Sequence, residues 1–160
     1  MKIYKIETVQ HLNASIEECW DFFSSPKNLQ TITPDNMSFE IQDFDGKRMY
    51  PGQIITYTLK PLFGIKINWV TVITVSQENQ YFIDEQRFGP YALWHHKHFF
   101  EAAKNGGTKM TDIVHYAIPF GYLGRVMNTL VVNKKINGIF EFRRTKIEEL
   151  FNLKKNVIDS

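Results

Sequence analysis

His95, His96 and His98 fall within four positions of the segment YALWHHKHFF, residues 91–100, beside Trp94, Phe99 and Phe100. Imidazoles at this density can ligate a metal, move a proton or line a pocket. Which of these they do depends on the face each side chain takes. In a strand the faces alternate, so Trp94, His96, His98 and Phe100 point one way, and Leu93, His95, Lys97, Phe99 and Glu101 the other. The first set reads as a pocket wall. His95 and Lys97 read as the solvated outer face, and His11 as an exposed strand end.

The next segment, TKMTDIVHYAIP, is a second strand. If Asn105, Gly106 and Gly107 close the hairpin as a three-residue loop, even positions meet even positions across it. Asp112, Val114, Tyr116 and Ile118 then join Trp94, His96 and His98. A loop of two or four residues would bring His115 to the histidine pair instead. In the first register Asp112 and Tyr116 can hydrogen-bond the imidazoles and fix their tautomers, and Asp84 or Gln86 on the preceding strand can complete the polar group.

Two histidines two apart on a strand can both reach one zinc, with Asp112 or His115 as a third ligand. A polar network inside a cavity uses the same residue types without metal, and no cysteine or helical His-Glu motif stands nearby, so neither metal nor cofactor is expected. As an enzyme, the protein would use His96 or His98 as general acid/base, oriented by Tyr116 or Asp112, for cyclisation, dehydration or hydrolysis at a ligand carbonyl. Nucleophilic and nucleotide chemistry are not indicated. No G-x-S-x-G elbow occurs, Cys19 lies in an amphipathic stretch as a core thiol, and NGGT lacks the Gly-Lys-Ser/Thr of a phosphate loop.

These residues need a scaffold. KIYKIETVQHL alternates as a strand; NASIEECWDFFSSP then carries helix-start signals, with Asn13 or Ser15 as cap and Glu17 and Glu18 in the first turn. Pro26 can open a second short helix closed by Pro34. From Met37 to Pro119 the pattern is period two, with turn signals at 45–46, 51–52, 63–64, 78–79, 89–90 and 105–107, which predicts six more strands in an antiparallel meander. On one of them Ile65, Ile67, Trp69, Thr71 and Ile73 form the more apolar face, which makes Trp69 a cavity candidate. Trp20, Phe39 and Phe63 read as core.

PFGYLG at 119–124 is either a hinge beside a cavity mouth or a plain strand-to-helix turn. Beyond it, Leu123, Val126, Met127, Leu130, Ile136, Ile139, Phe140, Ile147, Leu150 and Phe151 form a stripe on one long helix. Gly138 within it marks a bend, a close approach or a tolerated glycine.

The chain has 160 residues, 43% hydrophobic and 14% aromatic, enough for one domain over 1–160 with a sizeable core. Its 19 basic and 17 acidic residues are interspersed and the net charge is +2, which argues against a nucleic-acid partner. A single cysteine excludes an internal disulfide, and no signal-peptide or membrane-spanning run occurs, so a soluble cytoplasmic protein is expected.

The element order, with DEQRFGPYALWHHKHFF, GGTKMTDIVHYAIPFGYLG and the long terminal helix, resembles the START-like SRPBCC superfamily, in particular a bacterial ligand-binding branch. That branch reads approximately D-x-Q-x-x-G-P, then H-x-H-x-F, then G-T-x-x-x-D-x-V-x-Y-x-x-P. The matching positions are Asp84, Gln86, Gly89, Pro90, His96, His98 and Phe100, then Gly107, Thr108, Asp112, Val114, Tyr116 and Pro119. The resemblance implies an α+β helix-grip fold, a seven-stranded antiparallel sheet curled around a long C-terminal helix, with two short helices after the first strand.

It also implies a cavity between sheet and helix for a small hydrophobic or amphipathic molecule, held by a carrier or sensor. The expected wall is Trp69, Asp84, Gln86, Trp94, His96, His98, Phe100, Asp112, Val114 and Tyr116. One alternative is a cyclase or dehydratase of the polyketide type in the same pocket. Another is a protein-interaction domain whose pocket is incidental. No integral membrane association is expected, and a protein partner or a homodimer is left open.

Overall fold

The computed structural model describes residues 1–61, 64–104 and 106–153. Phe63 and Asn105, on which two of the expectations above fall, lie outside the described residues.

Seven strands form one antiparallel sheet: β1 Tyr4–Leu12, β2 Glu40–Asp43, β3 Ile54–Leu59, β4 Ile67–Gln77, β5 Tyr81–Phe88, β6 Leu93–Ala102 and β7 Thr108–Ala117. Their order is β1-β7-β6-β5-β4-β3-β2, so the chain meanders from one edge inward and closes on β1. Between β1 and β2 lie helix α1, Ile16–Phe23, and two single 3₁₀ turns, Pro26–Leu29 and Asp35–Met37. Ser15 caps α1 through a capping box: its hydroxyl accepts from the Glu18 amide at 3.1 Å, and its own amide donates to the Glu18 carboxylate at 2.8 Å.

The sheet curls around the C-terminal helical segment, which comprises α2 Gly121–Met127, a π turn Asn128–Val132, α3 Asn133–Glu148 and a second π turn Glu149–Leu153. The sheet's concave face carries two aromatic layers. At one end Trp20 and Phe23 of α1 pack with Phe82, Phe100, Met110, Ile147 and Phe151; Trp20 meets Phe82 and Phe100 edge-on at 6.0 Å each. At the other end Val114 and Tyr116 pack under Val132, Ile136 and Phe140. Cys19 is fully buried in the first layer, as its pattern indicates. No helix among the described residues is long and apolar enough to cross a membrane.

The helical stripe differs from the expected one. Ile136, Phe140, Ile147 and Phe151 face inward, but Leu123, Val126, Met127 and Leu130 are exposed, and Gly124, Asn128 and Val132 take the inner face. The cause is local: Gly124 sits so close to the Pro119 carbonyl that a Cβ would overlap it, which turns its face toward the sheet, and the following π turn alters the rotation per residue. Gly138 is exposed and a Cβ there would meet nothing, so it is a tolerated glycine.

The β6–β7 hairpin closes one residue earlier than the sequence reading places it, with Ala102 opposite Thr108 and the Ala103 amide donating to the Gly107 carbonyl at 3.0 Å. The parity is unchanged. Gly107 has φ +75°, and a Cβ there would overlap the Leu12 carbonyl of the neighbouring backbone. Gly107→Ala is therefore expected to cost about 2 kcal/mol or more of stability, from left-handed strain and the clash together. An unchanged urea midpoint would contradict that.

Candidate functional site

Between the sheet and α3 lies a cavity of about 150 Å³. Its walls are largely apolar, with Trp69, Tyr91, Trp94, Ile136 and Phe140 among them, and Trp69 meets Trp94 edge-on at 5.5 Å. The polar end is built by strand alternation. Thr71 of β4, Asp84 of β5 and His96 and His98 of β6 all point into the cavity, and Asp112 of β7 stands behind the histidines. Across the ladders Asp84 pairs with His96, and His98 with Asp112. His115 pairs with His95 on the outer face, which excludes it from the cluster.

Each imidazole lies between the two carboxylates. His98 Nε2–H donates to Asp84 Oδ2 at 3.0 Å, while His98 Nδ1 is 2.6 Å from Asp112 Oδ1. His96 Nδ1 is 3.7 Å from Asp84 Oδ2, and its Nε2 is 3.4 Å from Asp112 Oδ1. The two rings are 3.8 Å apart. Despite these approaches His96 Nε2, His98 Nδ1 and Asp112 Oδ1 complete no hydrogen bond of acceptable angle. His96, His98 and Asp112 are each only 4–5% exposed.

Electrostatics separate the two histidines. Burial pulls His96 down and the adjacent His98 adds to it, so despite the carboxylates it titrates at about 4 and stands neutral near pH 7. For His98 burial acts the same way, but Asp112 and Asp84 outweigh it and raise its proton affinity. Asp112 is pushed up by burial and held well below the ordinary carboxylate range by His98 and His96; Asp84 behaves likewise, with Arg143 of α3 contributing. Next to the carboxylates, Tyr57 OH and Thr71 Oγ1 are 2.7 Å apart, and Trp69 Nε1–H donates to Thr71 Oγ1 at 3.1 Å.

Of the residues expected on the wall, Trp69, Asp84, Trp94, His96 and His98 line the cavity. Gln86 does not. Its amide clamps the β5–β6 turn, donating to the Tyr91 carbonyl at 2.7 Å and accepting from the Tyr91 amide at 3.2 Å. Phe100 and Val114 belong to the two packed layers. Tyr116, expected to orient an imidazole, instead donates to Asn133 Oδ1 of α3 at 3.3 Å and stacks on Tyr4 at 5.3 Å. PFGYLG contributes nothing to the lining among the described residues, so it acts as a strand-to-helix turn. Tyr57, Phe140 and Arg143 line the cavity without having been anticipated, and Phe39, expected as core, lines it too. Arg143 sits in the basic run FEFRRTK, where only the helix phase set by Ile136 and Phe140 could have singled it out.

Asp84, His96 and His98 together present ligand atoms within 4.8 Å of one another, the three residues in the described chain so arranged for a metal.

No family model matches the chain, and no curated protein resembles it in sequence. Its structure resembles solved ones. A protein of unknown function from Staphylococcus aureus superposes with a TM-score of 0.70 at 11% identity, over 97% of both chains. Ara h 8.0201 gives a TM-score of 0.60 at 16% identity, over 92% of this chain and 99% of that one. The di-domain ARO/CYC BexL from the BE-7585A biosynthetic pathway gives 0.63 at 14%, over 91% of this chain and 50% of that one. With these the chain shares the START/Bet v 1-like helix-grip fold.

Proposed function

We propose, from the helix-grip fold and its cavity, that this chain binds a small, mostly apolar molecule carrying one hydroxyl or carbonyl oxygen. The observation that carries this reading is a cavity with largely apolar walls whose polar groups, Asp84, His96 and His98, are gathered at one end. Such a combination fixes the orientation of a ligand while burial supplies most of the affinity. At about 150 Å³ the cavity accepts a ligand of roughly single-ring size. Two carboxylates are balanced by one protonated imidazole and Arg143, so the polar end carries no spare positive charge and a neutral ligand oxygen suits it better than a carboxylate.

The acid–base reading has its own support, since neutral His96 beside the cavity is a competent proton acceptor. It uses the same pose and differs only in whether the bound molecule leaves changed.

Titration with p-cresol, read by the fluorescence of Trp69 and Trp94, tests the binding reading. Saturable quenching is expected, weakened at least about tenfold, or ~1.4 kcal/mol, in the folded His96→Gln/His98→Gln double variant. Equal affinity in the two proteins would remove the histidines from the site, and quenching that never saturates would remove the site.

A further inference from the structure

We propose that Asp84, His96 and His98 hold a divalent first-row transition ion at the inner end of the cavity, with Asp112 supporting both imidazoles from behind. The ligand reading shares this cavity, but the inference stands on the cluster's own geometry.

Proton counting points to the ion. Four nitrogen–oxygen approaches run from the two rings to the two carboxylates, at 3.0 and 3.7 Å to Asp84 and at 2.6 and 3.4 Å to Asp112. Only two cationic imidazoles would supply four N–H groups; with any fewer protons at least one approach sets a lone pair against a carboxylate. A fourth proton would place two cationic rings 3.8 Å apart in a buried site. Three of the atoms involved, His96 Nε2, His98 Nδ1 and Asp112 Oδ1, in fact complete no hydrogen bond.

A divalent ion among Asp84 Oδ2, His96 Nδ1 and His98 Nε2 resolves the conflict. It takes the place of the proton that His98 Nε2 shares with Asp84, and that proton leaves to solvent. Both cavity-facing nitrogens then present lone pairs, and both rear nitrogens carry N–H groups beside Asp112 Oδ1, at 3.4 and 2.6 Å. This is the carboxylate–histidine–metal arrangement that fixes tautomer and ring orientation. Among the four clustered side chains, two carboxylates and two neutral imidazoles match one double positive charge, and Arg143 of α3 stands outside that set. Ligand atoms about 2.0–2.2 Å from one ion are themselves about 3–3.5 Å apart; the two approaches to Asp84 Oδ2, at 3.0 and 3.7 Å, lie close to that range, and the three residues offer ligand atoms within 4.8 Å of one another.

Two nitrogens and one carboxylate oxygen form a set for zinc or ferrous iron rather than for calcium or magnesium. Asp84 and both histidines border the cavity whereas Asp112 does not, so the ion's remaining positions face the space a ligand would occupy. A ligand oxygen can bind there directly.

The test is calorimetric titration of the chelator-treated full chain with zinc chloride alone, no organic ligand being present. One zinc per chain is expected. Asp84→Asn and His96→Gln should each weaken it at least about 100-fold and Asp112→Asn by about 10–100-fold, while the outer-face variant His115→Gln should not change it. Circular dichroism establishes that each variant is folded; His96, which completes no hydrogen bond at Nε2, is the substitution the fold should tolerate best. The Co²⁺-loaded wild type should also show visible absorption that His96→Gln abolishes. Absence of stoichiometric zinc in the wild type, or an identical isotherm in His96→Gln, would overturn the inference. Saturable p-cresol binding by the metal-free chain would still leave the ligand reading standing.

Discussion

Asp112→Ala is expected to lower the free energy of unfolding by about 3–5 kcal/mol, a large share of what holds a domain of this size together. The carboxylate is almost fully buried and sits directly across the ladder from His98, the imidazole whose proton affinity the carboxylates raise. Removing it leaves that buried imidazole with Asp84 as its one carboxylate partner, packed between Phe82, which stacks on its ring at 4.1 Å, and His96. The effect is one of desolvation left uncompensated rather than of a strong bond lost, and this can be measured. The double substitution His98→Leu/Asp112→Val removes both members of the cross-strand pair and should recover at least half of the loss, because a buried pair replaced by apolar residues is often neutral. Urea unfolding of the three proteins checks both statements. A double variant as unstable as Asp112→Ala would mean that the cluster stabilises the sheet in its own right.

Ile136→Phe should weaken p-cresol binding at least about 100-fold, or ~2.7 kcal/mol, with little loss of stability. Ile136 is 2% exposed, reaches inward from α3 and borders the cavity. An extra ring there occupies the space a ligand would take, and filling a void avoids most of the roughly 1–3 kcal/mol that overpacking a close-packed core costs. The same fluorescence titration reads the affinity and urea unfolding reads the stability. Unchanged affinity would place the ligand elsewhere. A loss of stability beyond about 3 kcal/mol would show that the site is packed core.

Sequence pattern carried the fold and half of the site, for reasons visible in particular residues. Period-two alternation assigns a side chain to a face, and the parity of the β6–β7 hairpin survived a one-residue error in the loop, so His96, His98 and Asp112 meet as expected. Alternation does not report depth along the strand. Phe100 and Val114 share the face of His98, yet Phe100 is covered by Trp20 and Phe23 of α1, and Val114 by Val132 and Ile136 of the C-terminal segment, so both are core. Tyr116 shares that face too, but its hydroxyl reaches Asn133, a partner that becomes available only once α3 has docked.

The helix was harder. A stripe drawn at uniform rotation assigns Leu123 and Leu130 inward, whereas the Gly124–Pro119 approach and a π turn put both in solvent. Arg143, Phe140 and Tyr57 belong to elements far from the histidine segment in sequence, and only tertiary packing brings them to Asp84.

The most direct test of the central claim, that the cavity is a ligand site, is native mass spectrometry of the freshly purified chain against the same sample denatured. A native mass that exceeds the chain's by one small organic molecule, released on denaturation, is the predicted result. A native mass equal to that of the bare chain, in a protein that also fails to take up p-cresol, would contradict it.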